Sequence, residues 1–317
     1  MTKFVPVPWL PGAILQSAVP SFWPTAEPPG AAAPRVVAVA EGAALRLDVN
    51  LPDERPRGTV VLVHGLCGSA ASTYMRRTAR EAVLRSWVAV RMNLRMCGGT
   101  ETLSTTLCNA GQSRDLERVL DALAEAAFPV PFLVAGFSMG GNIVLRQAGL
   151  AGERCRAAAI AAINPPVDLD RCVRRIEQAD NRLFHDHFVR KLRRQIRRVH
   201  KLHHDDRPIA PFDSIREFDR RYTAPDSGYP SAEAYYADAS SAPHLCGVRR
   251  PTLVLSSRND PIVPAQMFEE TRPDNPWLAY EHPRAGGHCG YWHSGTPRFW
   301  AASAVLDFLE KCIQVLA

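Results

Sequence analysis

The chain has 317 residues, of which 46% are hydrophobic and 22% charged, a balance typical of globular proteins and unlike disordered, collagen-like or coiled-coil sequences. Its length suits one large domain or two ordinary ones with a sizeable core. The formal net charge of +6 would by itself suggest a nucleic-acid or anionic-surface partner. Most of that charge lies in residues 171–207, where twelve Lys or Arg stand against five Asp or Glu, so the rest of the chain is close to neutral.

The eight cysteines are scattered without the paired spacing of a zinc site, and a chain with this much core needs no disulfides. Free thiols in a reducing compartment are therefore expected. The apolar N-terminus is interrupted by four prolines before residue 21, which disfavours a signal peptide. No stretch reaches the ~18 apolar residues that a membrane span requires. We expect a cytoplasmic protein, with peripheral contact at a membrane surface as the alternative.

Residues 1–34 are rich in Pro, Ala and Trp and are predicted to form an extended arm. Beyond them, short apolar runs alternate with stretches of helical spacing. Strands are predicted at 35–40, 44–50, 59–63, 87–92, 132–137, 157–163, 251–256 and 277–281. Helices are predicted at 72–85, 114–127, 141–150, 265–271 and 299–316. The alternation predicts an α/β fold, with a mostly parallel central sheet flanked by helices on both faces.

The alternation stops at Pro165-Pro166, and a polar, basic and largely helical stretch follows. The strand pattern resumes near residue 250. We therefore divide the chain into an N-terminal arm (1–34), an α/β core (35–165 and 245–317) and a basic helical cap (166–244) inserted into that core.

Gly136-Phe137-Ser138-Met139-Gly140 matches G-x-S-x-G between a predicted strand and a predicted helix. In that context the motif is typical of a nucleophile elbow, a sharp turn that exposes a serine hydroxyl at the edge of the sheet. A glycine-rich turn needed only for close packing is the alternative. The context favours Ser138 as a catalytic nucleophile.

An elbow serine needs an acid and then a histidine later in the chain. Asp260 lies in the loop that follows the predicted strand at 251–256, whereas Asp168 and Asp170 begin the cap, so Asp260 is favoured as the acid. Its alternative role is to cap a turn before Pro261.

His288 is favoured as the base, because glycines on both sides predict a tight, mobile loop after the last strand, from which an imidazole can reach the serine. His282 and His293 are nearby competitors that we interpret as structural or exposed. The five histidines of the cap precede Asp260 and do not fit the order.

The oxyanion of an acyl-transfer intermediate needs two backbone N–H donors. We predict Met139, which follows the nucleophile, and Leu66, in the loop after the strand at 59–63. His64 lies early in the chain and is interpreted as a residue that braces this loop rather than as a base.

With these residues in place, the chain resembles the α/β-hydrolases, and within them the YheT-like hydrolases. Matching stretches are 15–23 (LQSAVPSFW), 64–69 (HGLCGS), 92–99 (MNLRMCGG), 110–116 (AGQSRDL), the elbow with Asn142, 165–169 (PPVDL), 218–225 (FDRRYTAP), 259–261 (NDP) and 286–288 (GGH). The family usually has Asn-Arg-Gly-Cys at 94–97, a His at position 109, and Asn-Pro-His before the first stretch. This chain departs from all three patterns, which bears on the shape of the acyl pocket and not on the three predicted catalytic residues.

The resemblance implies a serine carboxylesterase acting on acyl esters, and some relatives act on lipids and phospholipids. Such chemistry requires no metal or organic cofactor. An acyltransferase or a thioesterase on the same residues is the first alternative. A non-catalytic binding protein on a hydrolase scaffold is the second, and the complete set of predicted catalytic residues argues against it.

The cap contains an apolar stripe at helical spacing within a basic helix; its members are Phe184, Phe188, Leu192, Ile196 and Val199. The favoured interpretation is a lid helix with a solvated basic back, and the alternative is a surface that docks on anionic lipid. No nucleic-acid recognition motif accompanies the charge, so no nucleic-acid partner is expected. His200, His203 and His204 lie within one helical turn but lack a carboxylate or thiolate in register, which disfavours a metal site.

Overall fold

The computed structural model describes residues 3–30, 32–203 and 208–316. The strands are β1 (Ala33–Ala40), β2 (Ala43–Asn50), β3 (Thr59–Val63), β4 (Val88–Met92), β5 (Phe132–Phe137), β6 (Ala157–Ile163), β7 (Thr252–Leu255) and β8 (Leu278–Glu281). The helices are α1 (Gly12–Phe22), α2 (Thr73–Leu84), α3 (Ser113–Glu125), α4 (Met139–Ala151), α5 (Leu169–Ile176), α6 (Arg182–Leu202), α7 (Ile215–Phe218), α8 (Ala224–Asp226), α9 (Ala232–Ala239), α10 (Gln266–Thr271) and α11 (Trp300–Leu316).

The strands form one sheet in the order β1-β2-β4-β3-β5-β6-β7-β8. β1 and β2 are an antiparallel hairpin, β2 is antiparallel to β4, and every later pairing is parallel. In register, Val63 of β3 pairs with Met92 of β4 and Gly136 of β5, so these strands end together. The predicted α/β class is confirmed, and the predicted strands agree with the observed ones to within two residues at either end.

The central strands are buried on both faces, which explains why they are continuously apolar. In β3, Val61 and Val63 belong to one apolar cluster, whereas Val60 and Leu62 belong to a second cluster on the opposite face. Helices α3 and α4 cover the first face, and α2 and α11 cover the second. The carboxyl edge of the sheet is left for loops, where α/β sheets carry their binding sites.

The expectation of an extended N-terminal arm is wrong, because residues 12–22 form α1. Pro20 lies inside this helix, and the residues that α1 buries are Gln16, Ser17 and Pro20. Its large apolar side chains, including Ile14, Leu15 and Phe22, are exposed instead. Gln16 and Ser17 therefore face the protein while large apolar side chains face solvent, the reverse of an ordinary amphipathic helix.

Between β6 and β7 the chain passes through α5 to α9. In α6, Leu192, Ile196 and Val199 are buried within the cluster that covers the first face of the sheet, and the other two stripe residues are half-buried against it. These contacts agree with a lid helix. The division into core and cap stays a prediction. Of the helices described, none combines the length and apolar character needed to cross a bilayer.

Candidate active site

Ser138 occupies the turn between β5 and α4 in a strained conformation, with φ 51° and ψ −123°. The turn is possible because the residues two positions before and two positions after Ser138 are glycines. A β-carbon on Gly136 would lie 2.2 Å from the carbonyl oxygen of Gly140, and one on Gly140 would lie 2.3 Å from that of Val63. The glycines of the motif are thus required by close backbone contacts, and a non-glycine residue with positive φ at such a turn is a mark of functional sites.

Ser138, His288 and Asp260 form a continuous hydrogen-bonded path. Nε2 of His288 lies 2.9 Å from the Ser138 Oγ, and Nδ1 of His288 lies 2.8 Å from the Asp260 Oδ2. Since a carboxylate only accepts, Nδ1 carries the proton and Nε2 presents its lone pair to the serine hydroxyl.

The carboxylate of Asp260 is held by further donors, and its side chain is fully buried. Its Oδ1 accepts hydrogen bonds from the amides of Ile262 (2.7 Å) and Val263 (3.0 Å). Its Oδ2 accepts a third from Nδ2 of Asn164 (2.6 Å). With four donors including the imidazole, the carboxylate is fixed in position and compensated for its burial.

The competing acids have other uses. Asp168 caps the first turn of α5 by accepting from the amide of Arg171. Asp170 pairs with Arg216 at 2.5 Å and with Arg174 at 2.6 Å. These partners all lie between β6 and β7, and neither acid has a described contact with Ser138 or His288.

The competing histidines also have other partners. Nδ1 of His282 lies 3.1 Å from the carbonyl of Ser256, and Nδ1 of His293 contacts the backbone of Val5. His64 is wholly buried; its Nδ1 donates to the Gly65 carbonyl (2.8 Å) and its Nε2 accepts from the Leu94 amide (3.1 Å). Burial lowers the pKa of His64 to about 4, so it is a neutral link between two loops.

The two predicted oxyanion donors, Leu66 and Met139, line the same cavity as Ser138. Met139 is the first residue of α4, so its N–H belongs to the helix turn that has no intrahelical acceptor. Gly65 allows the loop to come close, because a β-carbon there would lie 2.9 Å from the Ser138 Cβ. Their role as oxyanion donors stays a prediction.

The cavity beside Ser138 is mainly apolar and has a volume of about 80 Å³, several times the space one water molecule needs. Helix α6 contributes Phe188, Leu192 and Gln195 to its wall, so the predicted cap forms part of the cavity beside Ser138. The exceptions to its apolar character include a buried carboxyl, Asp219, which accepts hydrogen bonds from Thr223 (2.7 Å) and Tyr236 (2.7 Å). Burial raises the pKa of Asp219 to about 6.

Asn164 is a site residue that we did not predict. It is fully buried at the end of β6, with φ 48°. Besides its contact with Asp260, its Nδ2 lies 3.3 Å from the carbonyl of Gly287 and its Oδ1 accepts from the amide of Cys289 at 3.2 Å. The available signal was an asparagine directly after a buried strand, at the edge where the other site residues lie.

The basic face of α6 is largely exposed to solvent. Arg193 pairs with Asp213 and Arg198 with Glu101, whereas Arg194 and Arg197 are exposed and have no partner in the described part of the chain. Docking on anionic lipid stays a prediction. Of the three histidines weighed as a metal site, Nε2 of His203 lies 2.6 Å from the backbone carbonyl of Glu101, and His204 lies outside the described residues.

The fold and the geometry of the site together are those of an α/β-hydrolase. Residues 58–294 match the alpha/beta hydrolase fold family, which is most of the chain, and the chain belongs to that family.

Its relatives are consistent with this membership. YheT of Escherichia coli (strain K12) is 28% identical over 268 residues, covering 82% of this chain and 78% of YheT, which confirms the resemblance to the YheT-like hydrolases. A monoacylglycerol lipase of Saccharomyces cerevisiae is 26% identical over 274 residues, which make up 83% of this chain but only 60% of the lipase. The Pyrococcus furiosus esterase Pf2001 superposes with a TM-score of 0.60 at 16% identity, over 91% of this chain and 98% of the esterase. That last likeness concerns the fold alone.

Proposed function

We propose that this protein is a serine hydrolase that cleaves carboxylic esters through an acyl-enzyme intermediate. The observation that carries the proposal is the hydrogen-bonded path from the Ser138 hydroxyl through His288 to the buried carboxylate of Asp260. Its position at the wall of a largely apolar cavity supports an ester whose acyl group is apolar. The names of the relatives, a monoacylglycerol lipase among them, support the same bond type.

In the first half-reaction, Nε2 of His288 takes the proton of the Ser138 hydroxyl while the oxygen attacks the ester carbonyl carbon. The carboxylate of Asp260 holds the imidazole in the required tautomer and stabilises its protonated form. The carbonyl oxygen gains the negative charge and is stabilised by backbone N–H groups, for which we propose Leu66 and Met139. When the tetrahedral intermediate collapses, the alcohol leaves with the proton from His288.

In the second half-reaction, water replaces the alcohol. His288 takes a proton from the water as its oxygen attacks the acyl carbon, and the same proton goes to the Ser138 oxygen when the acid is released. An acyltransferase or a thioesterase would share the first covalent step and differ in the acceptor or in the bond cleaved. Product analysis with competing alcohols, and turnover of matched oxygen esters and thioesters, therefore distinguishes these outcomes.

The direct test is labelling with a serine-reactive fluorophosphonate, alongside hydrolysis of p-nitrophenyl esters of graded chain length and then of phospholipids. We expect the wild type to be labelled and to hydrolyse the esters, and Ser138→Ala to lose both because the attacking oxygen is gone. Ser21→Ala, on the exposed side of α1, is the matched control and should behave as the wild type. A folded wild type that is neither labelled nor active would refute the proposal.

A further inference from the structure

Helix α1 lies against the loop that carries His288. The Oγ of Ser17 accepts a hydrogen bond from the backbone amide of His288 at 2.7 Å, and donates its own hydrogen to the carbonyl of Ala13 at 2.6 Å. One residue earlier, the Oε1 of Gln16 accepts from the amide of Gly286 at 2.9 Å. Both side chains are buried, so water does not replace these acceptors readily.

Gln16 also reaches the loop of the acid. Its Oε1 accepts a second hydrogen bond from Nδ2 of Asn259, at 2.9 Å, and Asn259 immediately precedes Asp260. The Oδ1 of Asn259 in turn accepts from the amide of Gly287 at 3.0 Å. A single carboxamide oxygen on α1 therefore connects the loop of the base with the loop of the acid.

The glycines around His288 fit this contact. A β-carbon on Gly290 would lie 1.8 Å from the carbonyl oxygen of Gln16, and one on Gly287 would lie 2.6 Å from the Ser17 Oγ. We expected these glycines to make the loop mobile. In the structure they make room for α1, whose backbone approaches too closely for any side chain.

The loop also needs external support, because Cys289, which is not a glycine, has φ 59°. Residues in such conformations persist only where the surroundings determine them. Gln16 and Ser17 on α1 accept hydrogen bonds from the backbone amides of Gly286 and His288. These bonds fix the backbone of the loop and therefore the direction in which the His288 side chain projects.

We propose that Gln16 and Ser17 are positioning residues that hold His288 and Asp260 in the geometry of the site, an inference that rests on the proposed function. Hydrogen-bonded catalytic groups need to be held to within about 0.5 Å. Displacement by about 1 Å can reduce the rate roughly 100-fold. Ser17 and Gln16 act on the reaction through His288 and do not need to touch the substrate.

The experiment compares Ser17→Ala, Gln16→Ala and Gln16→Glu with Ser21→Ala. Ser21 is the matched control, because its hydroxyl donates to the carbonyl of Ser17, four residues earlier in the same helix, and makes no described contact with the His288 loop. Three quantities are measured: kcat and KM for a soluble p-nitrophenyl ester, the melting temperature, and hydrogen exchange of the peptide that contains residues 286–290.

We expect the two alanine variants to lower kcat about 10- to 100-fold with KM within about twofold. We also expect exchange in the 286–290 peptide to accelerate about tenfold, since an amide loses its acceptor. Gln16→Glu keeps an oxygen for both donors, so it should retain more activity than Gln16→Ala, although it loses the hydrogen bond that Nε2 of Gln16 donates to the carbonyl of Leu10 at 3.0 Å and should melt below the wild type. Ser21→Ala should match the wild type in every measurement.

Wild-type kcat in folded Ser17→Ala and Gln16→Ala would overturn the positioning role, even if exchange of the loop were faster. A fall in kcat that follows the melting temperature equally in all four variants would also overturn it, since that is a purely structural effect. Failure of the proposed function is distinct: there the wild type itself shows no turnover and no serine labelling, and the positioning role falls with it.

Discussion

Replacement of Asp219 by Asn is expected to change how the stability of the protein depends on pH. Asp219 is buried at the wall of the cavity, between the hydroxyls of Thr223 and Tyr236, and burial raises the pKa of its carboxyl from 3.8 to about 6. Arg216 opposes that rise in pKa and Glu177 adds to it, both more weakly than burial. Between about pH 4 and pH 6 the folded protein keeps a proton that the unfolded chain has released. The free energy of unfolding therefore falls as the pH rises through this window, by about 3 kcal/mol in all.

His64 has the opposite effect. Burial lowers its pKa from 6.5 to about 4, so between those values the unfolded chain binds a proton that the folded protein does not. Its contribution to stability is present above pH 6.5 and is lost as the pH falls toward 4, again by about 3 kcal/mol. In the wild type the contributions of His64 and Asp219 largely cancel. In Asp219→Asn only that of His64 remains, so acid should destabilise the variant more steeply.

The assay is urea unfolding of both proteins at intervals from pH 4 to pH 7, because the difference between them isolates the one carboxyl. We expect the variant to lose about 3 kcal/mol relative to the wild type between pH 6 and pH 4. The same change at the exposed Asp213 controls for the general loss of a negative charge. A difference between wild type and Asp219→Asn that stays constant from pH 4 to pH 7 would refute the reasoning.

Two further predictions concern the site and the cap. Asn164→Ala should lower the free energy of unfolding by about 3–5 kcal/mol and slow fluorophosphonate labelling, because Asp260 loses a donor and the buried amide of Cys289 loses its acceptor. Urea unfolding measures the first effect and the labelling rate measures the second. A loss of stability below about 1 kcal/mol would contradict this prediction. If α6 docks on lipid, Arg194→Gln combined with Arg197→Gln should weaken binding to phosphatidylserine vesicles about 30-fold, at roughly 1 kcal/mol for each arginine. Hydrolysis of a small soluble ester should not change, and equal vesicle binding by variant and wild type rules out docking through this face.

The sheet could be predicted from the sequence because its signals are local. A strand such as β3 or β5 is buried on both faces, so it reads as an unbroken apolar run that no amphipathic helix would produce. The elbow motif at Ser138 is equally local. The order of acid and base along the chain then selected Asp260 and His288, the two residues within hydrogen-bonding distance of one another and, through His288, of Ser138.

Helix α1 could not be predicted by the same reasoning. It contains Pro20, lies among other prolines, and buries polar residues while it exposes apolar ones. Its sequence therefore lacks the apolar stripe from which a helix and its buried face are predicted. Gln16 acquires its importance only through partners some 270 positions away. Asn164 was missed for a related reason: beside Pro165 it reads as a residue that ends a strand, and its three partners come from distant loops.

The contact between α1 and the His288 loop also has a consequence for biosynthesis. Ser17 and His288 are separated by 271 positions, so the ribosome makes the acceptor long before the donor. At 5–20 residues per second, α1 waits roughly 15–55 s before the loop that it supports has been made. A nascent chain therefore carries Ser138 well before it has His288, which we propose as the base, and a chain that stops before residue 288 would lack that base. Under the proposed function, ester cleavage would begin only after residue 288 has been made and its loop has folded against α1.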